Sequence, residues 1–106
     1  MMDDYTNPVK LLLSYDMLPE AGQEYYQFVL GRYIPTMQSL GLQMSEAWST
    51  QYGNGPDRLV GFVARDEQSV FDLLESDTWR LLNDQLFNYI TNFNYKVIPY
   101  KQGFQI

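Results

Sequence analysis

Glu46 is the residue whose type and position most directly suggest chemistry. It belongs to an alternating run from Leu42 to Tyr52, in which every second side chain shares one side of a predicted strand. Its companions on that side are mostly large and apolar. A carboxylate among them is either paired with a basic side chain, placed at an open rim, or has a raised pKa. With a raised pKa it could accept a proton near neutrality. The sequence leaves all three roles open.

Trp48 is the neighbour that decides between these roles. Residues two apart lie on the same side of a strand, so Trp48 and Glu46 should lie together. In one interpretation they line a mainly apolar cavity, with Trp48 as a wall and Glu46 as its polar group or rim. In the other, Trp48 is ordinary core beneath the helices and Glu46 pairs with a surface Arg or Lys.

Two absent residue types narrow the chemistry further. The 106 residues include no Cys and no His. Disulfides, thiolate catalysis, Cys-ligated metals, a Ser-His-Asp triad and histidine-ligated haem are therefore excluded. The sequence also lacks a spaced carboxylate motif of the kind that binds calcium. We expect neither a metal nor a cofactor, and haem only if a tyrosine were its axial ligand.

Length and charge limit the class of protein. A chain of 106 residues with 45% hydrophobic and 16% aromatic content fits one domain with one core. The net charge of −6 disfavours binding to nucleic acid and to anionic membrane surfaces. No apolar run approaches the roughly 20 residues that span a bilayer, and the start resembles no signal peptide. We expect a cytoplasmic protein.

The first half of the chain predicts a strand, a helical region and a second strand. Val9–Asp16 has apolar residues on both faces, as an interior strand does. A stripe of large residues at helical spacing follows over 26–40 and is expected to be core. Pro35 should either kink this helix just before it or begin a second short helix. Strand 2 then covers 42–52 with the alternation of an edge or half-exposed strand.

The second half predicts another strand, another helical region and a last strand. The glycine-rich loop 53–57 leads into Leu59–Ala64, which is apolar on both faces and should be a central strand. Asp66 is a good N-cap for a helix that breaks at Ser76-Asp77 and then resumes. Strand 4 covers about Phe93–Tyr100.

The resulting order, βαββαβ, predicts an α+β protein with the ferredoxin-like fold and a four-stranded antiparallel sheet. The whole chain, 1–106, is one domain with an ordered core of about 8–104. Helices cover one face of such a sheet, yet the two predicted interior strands are apolar on both faces. Two sheets packed face to face would bury this surface, so we expect a homodimer.

Several local motifs give the chain a family resemblance. It resembles the dimeric α/β-barrel proteins, and among them the NIPSNAP-like branch, over roughly Val9–Pro99. The residues that carry the resemblance are Gly41-Leu42, Trp48-Ser49-Thr50, Gly53, the strand Leu59-Val60-Gly61-Phe62-Val63, and Trp79 after the helix break. The resemblance implies a ligand cavity, either between the sheet and the helices or within the barrel.

The resemblance also supplies candidate residues and two hypotheses about function. Relatives include haem-dependent enzymes, which hold iron through histidine, and cofactor-independent monooxygenases with Asn, Trp and Tyr around a phenolic substrate. Tyr15, Glu46, Trp48 and Asn94 are therefore the candidate ligand-binding residues, with Glu46 the candidate catalytic one. The first hypothesis is a NIPSNAP-like dimer that binds a small, mainly apolar or aromatic molecule. The alternative is a cofactor-independent monooxygenase or isomerase acting on a phenolic or other small metabolite.

Overall fold

The computed structural model describes residues 7–50 and 53–100. Its elements follow the predicted order: β1 (Val9–Met17), α1 (Gly22–Phe28), a π-helical turn (Val29–Tyr33), α2 (Ile34–Ser39), β2 (Gln43–Ser49), β3 (Arg58–Ala64), α3 (Glu67–Leu74), α4 (Asp77–Leu86) and β4 (Ile90–Pro99). Two parts of the predictions lie outside the described residues: the end of strand 2 at 51–52, and positions 101–104 of the ordered core.

The four strands form one antiparallel sheet in the order β2-β3-β1-β4. The central strands are β1 and β3 and one edge is β2, as predicted, and β4 forms the other edge. Together with the helices this is the ferredoxin-like arrangement, so the predicted α+β fold class is confirmed. The helices pack on one side of the sheet, which we call the helix face. The opposite side is the open face.

The hydrophobic core lies between the helix face and the helices. Alternate residues of β1, from Val9 to Tyr15, are buried there together with Phe62 of β3. The helices contribute the other side of the core, mainly Tyr25, Tyr33, Met37, Val70, Leu73, Trp79, Leu82 and Leu86. On the open face of β1, Lys10 and Leu12 are buried as well. The strand is therefore covered on both sides, as an interior strand was expected to be.

The helices of the second half begin at side-chain caps. Asp66 accepts a hydrogen bond from the backbone N–H of Ser69 at 2.9 Å, and α3 follows it. Ser76 accepts one from the backbone N–H of Trp79 at 3.1 Å and starts α4. Each cap satisfies an N–H that has no partner within its helix. Both predicted helix starts are confirmed.

The helical region of the first half corrects part of the prediction. The expected second helix, α2, is present and carries Pro35 in its first turn, but the π-helical turn before it was not foreseen. In a π turn each hydrogen bond joins residues five apart, one more than in an α-helix. The helical segments before and after the turn are therefore rotated relative to each other. A stripe of constant helical spacing therefore cannot stay on one face. Tyr33 and Met37 are core as expected, whereas Tyr26, Leu30 and Leu40 are exposed.

A bulge in β2 corrects the predicted alternation of that strand. Met44 is opposite Phe62 and Glu46 is opposite Gly61, so β2 has one extra residue, Ser45, at this point. One extra residue turns every later side chain to the other face of the sheet. Met44 therefore faces the helices, whereas Glu46 and Trp48 lie on the open face. The prediction that all alternate residues from 42 to 52 share one side was wrong.

Candidate functional site

A cleft of about 290 Å³ lies on the helix face between the first helical region and the edge of the sheet. One wall comes from α1, the π-helical turn and α2, and the other from β2 and β3. Its lining is mostly aromatic and aliphatic: Tyr25, Tyr26, Val29, Leu30, Ile34, Met44, Ala47, Trp48, Ser49, Arg58 and Val60. A concave, mainly apolar site with a few polar groups is typical of small-molecule binding sites.

Arg58 is the charged residue of this cleft. It is half-buried at the start of β3, where it lies opposite Ser49 of β2 and Tyr15 of β1. Its Nη2 donates a hydrogen bond to the hydroxyl of Tyr26 at 2.7 Å, and its Nη1 donates one to the carbonyl of Asp57 at 3.2 Å. The guanidinium carbon lies 6.0 Å from the ring centres of both Tyr25 and Tyr26. The positive charge is thus held between two aromatic rings.

The loop before Arg58 is fixed to the end of β1. The backbone N–H of Asp57 donates to Oδ1 of Asp16 at 3.0 Å, and Oδ2 of Asp57 accepts from the backbone N–H of Met17 at 2.9 Å. Asn92 donates to the second oxygen of Asp16 at 2.8 Å. The hydrogen bonds from Asn92 and Asp57 hold the pKa of Asp16 below its ordinary value. These contacts position the backbone from which Arg58 extends.

Tyr15 lies behind the cleft. Its hydroxyl is 2.6 Å from the hydroxyl of Tyr25, and both phenols are buried. Burial raises the pKa of Tyr15 well above its ordinary value, and the neighbouring Tyr25 adds to this effect. Burial also raises the pKa of Tyr25. The hydrogen bond with Tyr15 and the charge of Arg58 lower this pKa, but by less than burial raises it. Both phenols therefore stay protonated near neutrality, and Tyr15 supports the cleft through Tyr25.

Glu46 is paired with Lys10 on the open face. Lys10 Nζ donates to Glu46 Oε1 at 2.6 Å, and the two side chains are only 2% and 14% exposed. The carboxylate also accepts from Ser45 Oγ at 3.1 Å and, more weakly, from Trp48 Nε1 at 3.4 Å. Burial raises the pKa of Glu46, but the hydrogen bonds from Lys10, Trp48 and Ser45 outweigh it and hold the pKa below its ordinary value. The interpretation with a raised pKa was wrong.

The predicted candidate residues do not meet in one cavity. Glu46 and Trp48 lie together, as expected from their spacing. Trp48 is half-exposed at the sheet edge, where it also lines the cleft, so it is not core beneath the helices. Asn94 lies across the sheet on β4, in an open-face groove of about 230 Å³ with Leu12, Ser14, Pro56, Leu59, Tyr95 and Lys96. Tyr15 is in the core.

Comparison with known proteins gives the fold a family context. No protein-family profile matches the chain, and no curated protein matches it. Among solved structures, a NIPSNAP family protein from Agrobacterium tumefaciens is 14% identical, with a TM-score of 0.66 over 96% of this chain and 93% of that one. The chain has the fold of NIPSNAP proteins.

Two further solved structures share this fold. A hydroxynitrile lyase from Passiflora edulis is 12% identical, with a TM-score of 0.66 over 93% of this chain and 98% of that one. A dimeric protein of unknown function from Bacteroides fragilis, with a ferredoxin-like fold, is 10% identical, with a TM-score of 0.58 over 91% of this chain and all of that one. At such identities the likeness establishes the NIPSNAP-type fold and no particular chemistry.

Sequence reasoning missed the polar residues of the cleft. Arg58 stands directly after the loop 53–57 and is one of only seven basic residues, which is the signal that could have drawn attention to it. Tyr26 was assigned to the helical stripe that was expected to be core, and Tyr25, just before that stripe, was not singled out. Across residues 7–50 and 53–100, no three acidic side chains gather as a metal site would require, and no helix is long and apolar enough to cross a membrane.

Proposed function

We propose that this protein is a homodimer that binds a small, mainly apolar or aromatic molecule in the cleft between the first helical region and β2. The cytoplasm is the proposed location, in keeping with a sequence that has no Cys and no long apolar run. The cleft volume, about 290 Å³, is at the small end of the range for ligand pockets. A ligand of one or two rings suits that size.

The observation that carries this proposal is the group of exposed apolar side chains around the cleft. Tyr26, Leu30 and Met44 line it, and they are 47%, 65% and 40% exposed. Large exposed apolar side chains that are grouped around one concavity are typical of binding sites and uncommon elsewhere on a protein surface. A flat aromatic ligand would cover these three side chains and remove their apolar surface from water.

Turnover of a phenolic or other small metabolite is the second candidate. The hydroxynitrile lyase that shares the fold is an enzyme, so the fold is compatible with catalysis. The polar groups of the cleft favour binding over turnover, however. No carboxylate lines the cleft among the described residues, and Glu46, the candidate proton acceptor, is paired with Lys10 on the other face of the sheet. The cleft therefore has no evident general base among its described residues.

A neutral aromatic probe tests binding in the cleft. Naphthamide should shift the backbone amide signals of Tyr26, Ala47 and Arg58 in a titration followed by NMR. Ala47→Trp should abolish these shifts, because a large ring would fill the cleft from the exposed position 47 on β2. Thr78→Trp is the matched control, since it adds the same ring at another exposed, groove-lining position. The proposal fails if naphthamide does not bind, or if Ala47→Trp binds it as wild type does.

The open face of the sheet supports the homodimer. It presents the half-buried Leu59, Val63 and Ile98 around the Lys10–Glu46 pair, with Trp48 half-exposed at its border. No helix of the described part of the chain packs on this side. A second sheet packed against it would bury these side chains. The Bacteroides fragilis protein, which has the same fold, is itself dimeric.

A further inference from the structure

We infer that the molecule bound in this cleft carries one carboxylate, which the guanidinium of Arg58 binds. This inference rests on the proposed function and adds the chemical class of the ligand. Arg58 lies at one end of a mainly apolar cleft. A ligand in the cleft would therefore meet a positive charge at that end.

Arg58 has hydrogen-bonding capacity that the described residues do not use. A guanidinium has five N–H donors. Among residues 7–50 and 53–100, its donors reach two neutral acceptors, the carbonyl of Asp57 and the hydroxyl of Tyr26, and no carboxylate forms an ion pair with it. Arg65 and Arg80, by contrast, each pair with a carboxylate. A half-buried cation with free donors and no counter-ion is a suitable anion site.

The cleft has a polar end and an apolar end. Ser49 and Arg58 face each other in the register of β2 and β3, and both line the cleft. Met44, at the other end of β2, lines it together with Ile34 of α2. The partners of Met44 and Ser49 on β3, Phe62 and Arg58, are four residues apart, so the two ends are separated by roughly 13 Å of extended strand. A ligand with its carboxylate near Arg58 and its ring toward Met44 would match both ends.

Charge and shape favour a carboxylate over a phosphate. A carboxylate presents two oxygens in one plane, and these match two parallel N–H donors of a guanidinium. The protein has a net charge of −6, which repels a doubly charged phosphate more strongly than a singly charged carboxylate. The rings of Tyr25 and Tyr26 lie beside the guanidinium, so an aromatic acid bound there would also contact aromatic surface.

A matched pair of probes tests the inference. Naphthoate and the neutral naphthamide have the same ring and differ in charge at one group. Wild-type protein should bind naphthoate about tenfold more tightly than naphthamide, as measured by calorimetry or NMR. Arg58→Gln should remove this preference by weakening naphthoate binding far more than naphthamide binding, whereas Arg58→Lys should retain part of it. Arg65→Gln is the control: this arginine lies past the other end of β3 and is 82% exposed.

The salt dependence of wild-type binding gives a test that needs no variant. In about 1 M NaCl, where charges are screened beyond about 3 Å, the naphthoate affinity should fall toward that of naphthamide. Equal affinities for the two probes at low salt would overturn the carboxylate inference while leaving the binding cleft intact. So would a naphthoate preference that persists in folded Arg58→Gln or is lost in Arg65→Gln. If neither probe binds, the proposed function itself fails.

Discussion

At the scale of single residues, the chemistry of Glu46 is set by a partner 36 positions away in the sequence. Lys10 is on β1 and Glu46 is on β2, and β3 lies between these two strands. The carboxylate reaches across β3 at Gly61, where no side chain stands in the way. Composition and alternation could show that Glu46 needed an explanation. They could not show that Lys10 is its partner, because strand order and register are properties of the folded sheet.

The ion pair predicts a specific cost for neutralising Glu46. Glu46→Gln would leave the buried ammonium of Lys10 facing an amide, and we expect a loss of about 1–3 kcal/mol of unfolding free energy at pH 7. Lys10→Met in the same background should restore part of it, because it removes the ammonium whose carboxylate partner has been neutralised. Urea unfolding of wild type, both single variants and the double variant measures the coupling. A Glu46→Gln protein as stable as wild type would contradict the pairing.

The same pair predicts a pH dependence with a definite sign. The pKa of Glu46 is held below its ordinary value of 4.5, so the contribution to stability is fully present above that value. It is lost as the pH falls through the lowered pKa of the folded protein. The stability difference between wild type and Glu46→Gln should therefore be constant down to about pH 5 and shrink in more acidic solution. A difference that grows on acidification would mean a raised pKa.

The candidate site was predictable only in part, for a related reason. Trp48 lines the cleft, and Tyr15 supports it through Tyr25, so two of the four residues picked from the sequence lie at or behind it. Arg58 was not singled out because a basic residue at the start of a strand indicates no function until its neighbours are known. Its environment comes from a helix more than 30 residues earlier, through Tyr26. Such long-range neighbours leave no trace in local spacing.

At the scale of elements, hydrophobic periodicity predicted the number, type and order of strands and helices. It failed at two places where one extra residue enters a regular element, Ser45 in β2 and the turn Val29–Tyr33 in the first helical region. Each changes which face the later residues occupy without changing the type of element. The bulge moved Glu46 and Trp48 to the open face, and the π turn left Tyr26 and Leu30 exposed beside the cleft.

The absence of a side chain at Gly61 of β3 leads to a prediction about the packing of β2 on β3. A Cβ at this position would lie 3.0 Å from Oε1 of Glu46 and 3.1 Å from Oγ of Ser45. The carboxylate cannot withdraw freely because Lys10 holds it, so Gly61→Ala should cost about 1 kcal/mol of unfolding free energy. In a Glu46→Ala background only the contact with Ser45 Oγ remains, and the same substitution should cost less. Equal costs in both backgrounds, measured by urea unfolding, would show that Gly61 is not needed for the passage of Glu46.

At the scale of the whole molecule, the two faces of the sheet have different surroundings. The helix face carries the core and, at the β2 edge, the cleft with Arg58. The open face carries apolar side chains around a buried ion pair, with no helical layer over it in the described part of the chain. If two open faces pack together, each cleft remains on the outside of the dimer. Ligand binding and dimerisation would then use separate surfaces, and either could be disrupted alone.

The homodimer can be tested by a charge on the open face. Leu59 is half-buried there on central strand β3, and sheet-to-sheet packing would bury it further, in an interface of roughly 2,000 Å². Wild type should sediment at low micromolar concentration with twice the 12.5 kDa mass of one chain. Leu59→Lys should shift it toward the single-chain mass, because an unpaired ammonium in an apolar interface is costly. Leu81→Lys, at a 53% exposed position on α4, is the matched control and should leave the dimer unchanged. A folded wild-type species of 12.5 kDa alone would rule out the sheet-to-sheet dimer.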